Sequence, residues 1–117
     1  MKPRILATAL IAGLFLAPTS SLGESFNVRA TNNDTFNPQT REIRTGDKIV
    51  WRNPSNDFHT VTAYSNNWSK DSALPEGERT SKRFNQTGTY KYFCEEHGHV
   101  TNAGVCHEMC GKVVVRP

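Results

Sequence analysis

The stretch from Tyr90 to Val115, YKYFCEEHGHVTNAGVCHEMCGKVVV, gathers most of the chain's reactive side chains. It carries Cys94, His97, His99, Cys106, His107, Met109 and Cys110, and His59 lies upstream in Phe58-His59-Thr60-Val61. Thiolate, imidazole and thioether together suit a soft or borderline metal. Two imidazoles and one thiolate with a weak thioether are the donor set of an electron-transfer copper site. The two oxidation states of copper prefer different coordination. A near-trigonal set with a distant thioether lies between those preferences, so little rearrangement accompanies each electron. Three cysteines, an odd number, leave at least one thiol with a role other than pairing.

Such donors need a rigid frame, and the sequence predicts one that is all-β. Short apolar or β-branched runs alternate with turn residues. The expected strands are Phe26 to Thr31, Arg41 to Arg44, Asp47 to Asn53, His59 to Ala63, Thr80 to Phe84, Thr89 to Cys94 and Lys112 to Arg116. Turn signals separate them, among them Asn32-Asn33-Asp34, Gly46-Asp47, Asn53-Pro54-Ser55, Pro75-Glu76-Gly77 and Gly104. Alternation places Ile49 and Trp51 on one face of their strand, and Tyr90, Tyr92 and Cys94 on one face of theirs. Seven or eight short strands without a long helix predict a two-sheet antiparallel sandwich. One ligand would then come from an internal strand and the others from a single loop between two strands.

The chain resembles the plastocyanin-like cupredoxins, the type 1 blue copper proteins, over roughly Phe26 to Val115. The resemblance rests on Gly46-Asp47-Lys48-Ile49-Val50-Trp51, on Phe58-His59-Thr60-Val61, on Gly88-Thr89-Tyr90-Lys91-Tyr92-Phe93-Cys94-Glu95-Glu96-His97, and on Met109-Cys110-Gly111-Lys112-Val113-Val114-Val115. It implies a Greek-key β-sandwich that holds one copper ion through His59, Cys94, His97 and Met109. It also implies single-electron transfer between transient redox-protein partners rather than catalysis. The edge of His97 would be the electron port, framed by apolar residues such as Val100, Ala103 and Val105.

Three departures from the family pattern leave alternatives open. The segment between His97 and Met109, Gly98 to Glu108, is longer than usual in the family. It carries His99, His107 and Glu108, which compete with Met109 for the axial position. A stronger axial ligand would give a red-copper centre of the nitrosocyanin type. Glu95 follows the cysteine where relatives often have a small hydroxylated residue. Cys106 and Cys110 are expected to form a disulfide that pins the insertion, which their spacing permits only outside a regular helix. The rival reading is a thiolate pair, because Cys106-His107-Glu108-Met109-Cys110-Gly111 looks like part of a binuclear copper site. Copper storage or delivery, with His99 and His107 as acquisition residues, and an enzyme with an open coordination position are the competing functions.

The first residues predict export. Lys2 and Arg4 precede the apolar run Ile5 to Ala17, and small residues follow as far as Gly23. This is the pattern of a secretory signal over residues 1–23, cleaved before Glu24. The apolar run is too short to span a bilayer, which takes roughly 20 residues. Residues 24–117 are then one exported domain, expected to be a periplasmic or secreted monomer without a membrane span. Without Lys2 and Arg4 its charge is nearly balanced, and no basic stripe suggests a nucleic-acid partner.

Overall fold

A computed structural model of the chain describes residues 23–117. The expected signal segment, apart from Gly23, lies outside the described residues. Among the described residues nine strands follow one another: β1 Ser25–Ala30, β2 Phe36–Asn37, β3 Thr40–Arg44, β4 Lys48–Arg52, β5 His59–Ala63, β6 Asp71–Leu74, β7 Arg79–Arg83, β8 Gly88–Val100 and β9 Cys106–Arg116. They form a five-stranded sheet in the order β3-β9-β8-β5-β6 and a four-stranded sheet in the order β2-β1-β4-β7. Among the described residues no helix is long and apolar enough to cross a membrane.

The alternation expected of β4 and β8 is present. Ile49 and Trp51 are buried, as are Tyr90, Tyr92 and Cys94. Facing residues of the two sheets interlock around Tyr92. Its ring meets Phe36 edge-on at 4.8 Å between centroids and Trp51 edge-on at 5.3 Å. Trp68 packs against this core from the β5–β6 connection, stacked on Trp51 at 6.4 Å. Close aromatic packing of this kind gives the sandwich a stiff interior, worth about 0.5–1.5 kcal/mol per ring pair beyond simple area burial.

The pairing differs from the expected antiparallel scheme in two places. β9 runs parallel to β3, and β1 runs parallel to β4. The chain crosses between sheets at β2–β3 and again at β3–β4, so neighbours within a sheet come from distant segments and can share a direction. β2 and β6 had no periodic signal because they are only two and four residues long.

The larger difference concerns the insertion after His97, expected as a loop. It continues the two strands that flank it. β8 runs 13 residues and β9 runs 11, with Gly98 opposite Glu108, His99 opposite His107 and Val100 opposite Cys106. The register shifts between Glu108 and Cys110, and Glu108 has a φ of 74°. This bulge folds the strand back on itself, so Cys106 and Cys110 form the expected disulfide with their Cα atoms 6.1 Å apart. Four steps along a regular strand would separate them by about 13 Å.

Candidate metal centre

Cys94 is the one free cysteine among the described residues, and it is fully buried near the end of the sheet-forming part of β8. Two imidazoles approach its sulfur. His59 Nδ1 lies 3.6 Å from Sγ and His97 Nδ1 lies 3.5 Å from it. The three donor atoms all lie within 4.8 Å of one another. A thiol has one proton and cannot donate to both rings, whereas a shared cation satisfies all three atoms. A first-row ion about 2.3 Å from sulfur and about 2.0 Å from nitrogen, with bonds near 120° apart, sets S and N roughly 3.7 Å apart. The observed separations fit such an ion.

The His59 ring is held by its far nitrogen. Asn53 is buried at the end of β4, and its amide donates to the carbonyls of Asp57 at 2.7 Å and Leu74 at 2.8 Å. That leaves its Oδ1 to accept from the Ser55 hydroxyl. With its proton so committed, Ser55 Oγ accepts from His59 Nε2 at 3.1 Å. The proton of His59 therefore sits on Nε2, and the Nδ1 lone pair faces the sulfur. His97 has no such bond: its Nε2 lies 3.6 Å from Asp34 Oδ1, near enough for electrostatic attraction but too far for a hydrogen bond. A carboxylate on that side attracts a proton to Nε2, which favours the tautomer with Nδ1 free to bind. Burial, reinforced by the nearby His97 ring, holds His59 below the usual imidazole range against the opposing pull of Asp34 and Asp57. The neutral form it favours is the one that ligates metal.

The sulfur has a further partner. Thr60 N–H donates to Cys94 Sγ at 3.3 Å, and Thr60 Oγ1 accepts from Glu95 N–H at 2.9 Å. Thr60 thus ties β5 to β8 on both sides of the thiol. Its hydroxyl continues to Thr62 at 3.0 Å and on to Asp71 at 3.4 Å. Because the carboxylate can only accept, the protons along this chain all point from Thr60 toward Asp71.

Of the expected site residues, the structure brings His59, Cys94 and His97 together. Met109 is fully buried in the same core cluster as Cys94, within the bulge between Glu108 and Cys110. Gly98 lets the hairpin close here, since a Cβ on it would stand 3.0 Å from the backbone of His107 and Met109. His99, His107 and Glu108 are exposed. In the sequence Asn32-Asn33-Asp34 and Asn53-Pro54-Ser55 show only as turns, and nothing there singles out Asp34, Asn53, Ser55 or Thr60 as supports of the site. Their proximity to His59 in the chain was the one available signal for Ser55 and Thr60. Asp34 carried none.

Residues 24–116 match the family model described as copper binding proteins of the plastocyanin/azurin family. Among solved structures, the chain is similar to a novel purple cupredoxin from Nitrosopumilus maritimus, at 22% identity and a TM-score of 0.59 over 76% of this chain and 97% of that one. A reduced-state amicyanin mutant matches at 23% identity and a TM-score of 0.64, covering 79% of this chain and 82% of that one. With a buried thiol flanked by two oriented imidazoles inside a β-sandwich, the chain belongs to the plastocyanin/azurin family of copper-binding proteins, and one copper ion is its cofactor.

Proposed function

We propose that this protein is an exported carrier of single electrons, with His59, Cys94, His97 and Met109 as the copper ligands. The observation that carries the reading is the pair of Nδ1 atoms 3.6 and 3.5 Å from one buried sulfur. The burial of Met109 favours it as the fourth ligand over the exposed His99, His107 and Glu108.

Bound there, copper supplies a one-electron couple. The chain's own residues keep the donors in place while that couple operates. Ser55 fixes the His59 ring from behind, Asp34 stands 3.6 Å behind the His97 ring, and the β5–β8 bonds through Thr60 fix the sulfur. Such outer partners orient the ligands and tune their basicity. The Thr60 N–H also draws negative charge from the sulfur. Cys94 and His59 are closed to water, whereas the His97 side chain is 24% exposed. The His97 edge is therefore the route for the electron. Phe58 and Val105, the large apolar side chains exposed among the described residues, offer a modest greasy surface for brief contact with a redox-protein partner. Residues 1–23 act as the export signal, and residues 24–117 work as a monomer in the periplasm or outside the cell.

Reconstitution with Cu(II) tests this reading. The expected result is an intense thiolate-to-copper visible band and a reversible one-electron couple, both insensitive to azide. Retention of that band by Cys94→Ser overturns the assignment.

A further inference from the structure

Beyond the buried centre, β8 and β9 carry a second pair of imidazoles. His99 and His107 stand directly opposite each other in the hairpin. Their rings stack with centroids 5.1 Å apart and planes 23° from parallel. Both residues are exposed, and among the described residues no protein group hydrogen-bonds to either ring. In contrast, His59 Nε2 is bonded to Ser55, and His97 Nε2 faces the Asp34 carboxylate at 3.6 Å.

The backbone beneath this pair is firmly set. On one side the turn closes through Thr101 N–H to Val105 O at 2.9 Å and Gly104 N–H to Thr101 O at 2.9 Å, with Gly104 at a φ of 81°. On the other side the Cys106–Cys110 disulfide brackets His107. Two opposed side chains on a covalently braced hairpin lose little freedom when both grip one ion, which is the advantage of preorganisation. Neutral imidazole prefers Cu(II), Ni(II) and Zn(II) over harder cations.

We propose that His99 and His107 form a second metal site, exposed and two-coordinate from the protein, for a divalent cation that favours imidazole. Water completes the coordination. The site is distinct from the buried centre, because His99 lies two residues farther along β8 than His97, about 7 Å at the usual strand rise.

Zinc(II) is the probe, added to the full exported protein already holding one Cu(I) and followed by NMR of the histidine rings. Both metals are diamagnetic, so all four rings are visible. One zinc per chain is expected to move the His99 and His107 ring signals and leave those of His59 and His97 in place. His99→Ala and His107→Ala, both at exposed positions, should each weaken zinc binding at least tenfold while the visible spectrum of the Cu(II) form is unchanged. The proposal is overturned if neither ring responds at millimolar zinc, or if either variant binds zinc as tightly as the parent.

Discussion

Asp34 Oδ1 stands 3.6 Å from Nε2 of His97, hidden from solvent and without a hydrogen-bond partner among the described residues. Asp34 reaches this place from a five-residue loop bonded to itself through Thr31 and Thr35, with Asp34 at a φ of 57°. Asp57 adds a second carboxylate, the three side chains offering atoms within 4.8 Å of one another. Negative charge beside a ligand favours the more positive oxidation state of the metal. Asp34→Asn should therefore raise the reduction potential, by on the order of 60 mV, or one decade in a one-electron equilibrium. Voltammetry of parent and variant checks the sign. An unchanged or lower potential means the carboxylate does not act on the couple.

Ser55→Ala removes the acceptor that holds His59 Nε2–H and the donor to Asn53. Loss of such an outer partner commonly lowers metal affinity about 10- to 100-fold. The buried polar groups left unpaired should also cost about 1–3 kcal/mol of stability. Competition with a copper chelator and a denaturant melt measure the two effects separately.

Replacing both Cys106 and Cys110 by alanine tests what the disulfide contributes. A loop this short gives on the order of 2 kcal/mol in the chain-entropy picture. The bond also spans Met109, which lies between the two cysteines. The expected outcome is a lower melting temperature together with a changed visible spectrum, because the thioether is less firmly placed. A lower melting temperature with an identical spectrum would assign the bond to stability alone.

Gly111 leaves no room for a side chain, since a Cβ there would come within 2.5 Å of the Tyr92 ring and hydroxyl. Tyr92 is fully buried among Phe36, Trp51 and Trp68 and cannot step aside. Gly111→Ala should cost about 1–3 kcal/mol through overpacking. Tyr92→Phe should be near neutral or stabilising, because the buried hydroxyl has no hydrogen-bond partner among the described residues. Urea melts of the two variants should differ in sign or at least widely in size.

The metal-free protein should lose stability as the pH falls below about 6.5. His59 is held below its ordinary range in the fold, chiefly by burial. The unfolded chain therefore takes up that proton first, and the folded state is penalised until the pH passes the lower folded value. A melting series from pH 7.5 to 5 checks this, with His59→Gln expected to show a shallower decline.

The alternation in Ile49–Trp51 and in Tyr90–Cys94 exposed the buried faces of β4 and β8 to sequence reading, and the Cys94-x-x-His97 spacing exposed the core of the centre. Alternation is a local property, and so is ligand spacing. The parallel pairing of β9 with β3 depends on where crossovers land and leaves no local trace. The same holds for Asp34, whose carboxylate meets His97 only because the two sheets close on each other. In the sequence, Gly104 and Cys106 of the insertion, with Cys110 just beyond it, have the look of loop features. They serve a hairpin whose register shift, marked by the positive φ at Glu108, starts at a residue type that gives no warning of it.

The placement of the three sulfurs bears on how the chain avoids oxidative scrambling. Cys106 and Cys110 are four residues apart, far nearer to each other than either is to Cys94. Longer closures are entropically costlier by only about 0.6 kcal/mol per doubling, so polymer statistics alone discriminate weakly. Sealing Cys94 in the interior adds a kinetic safeguard, because no external oxidant or mixed disulfide can reach it without opening the sandwich.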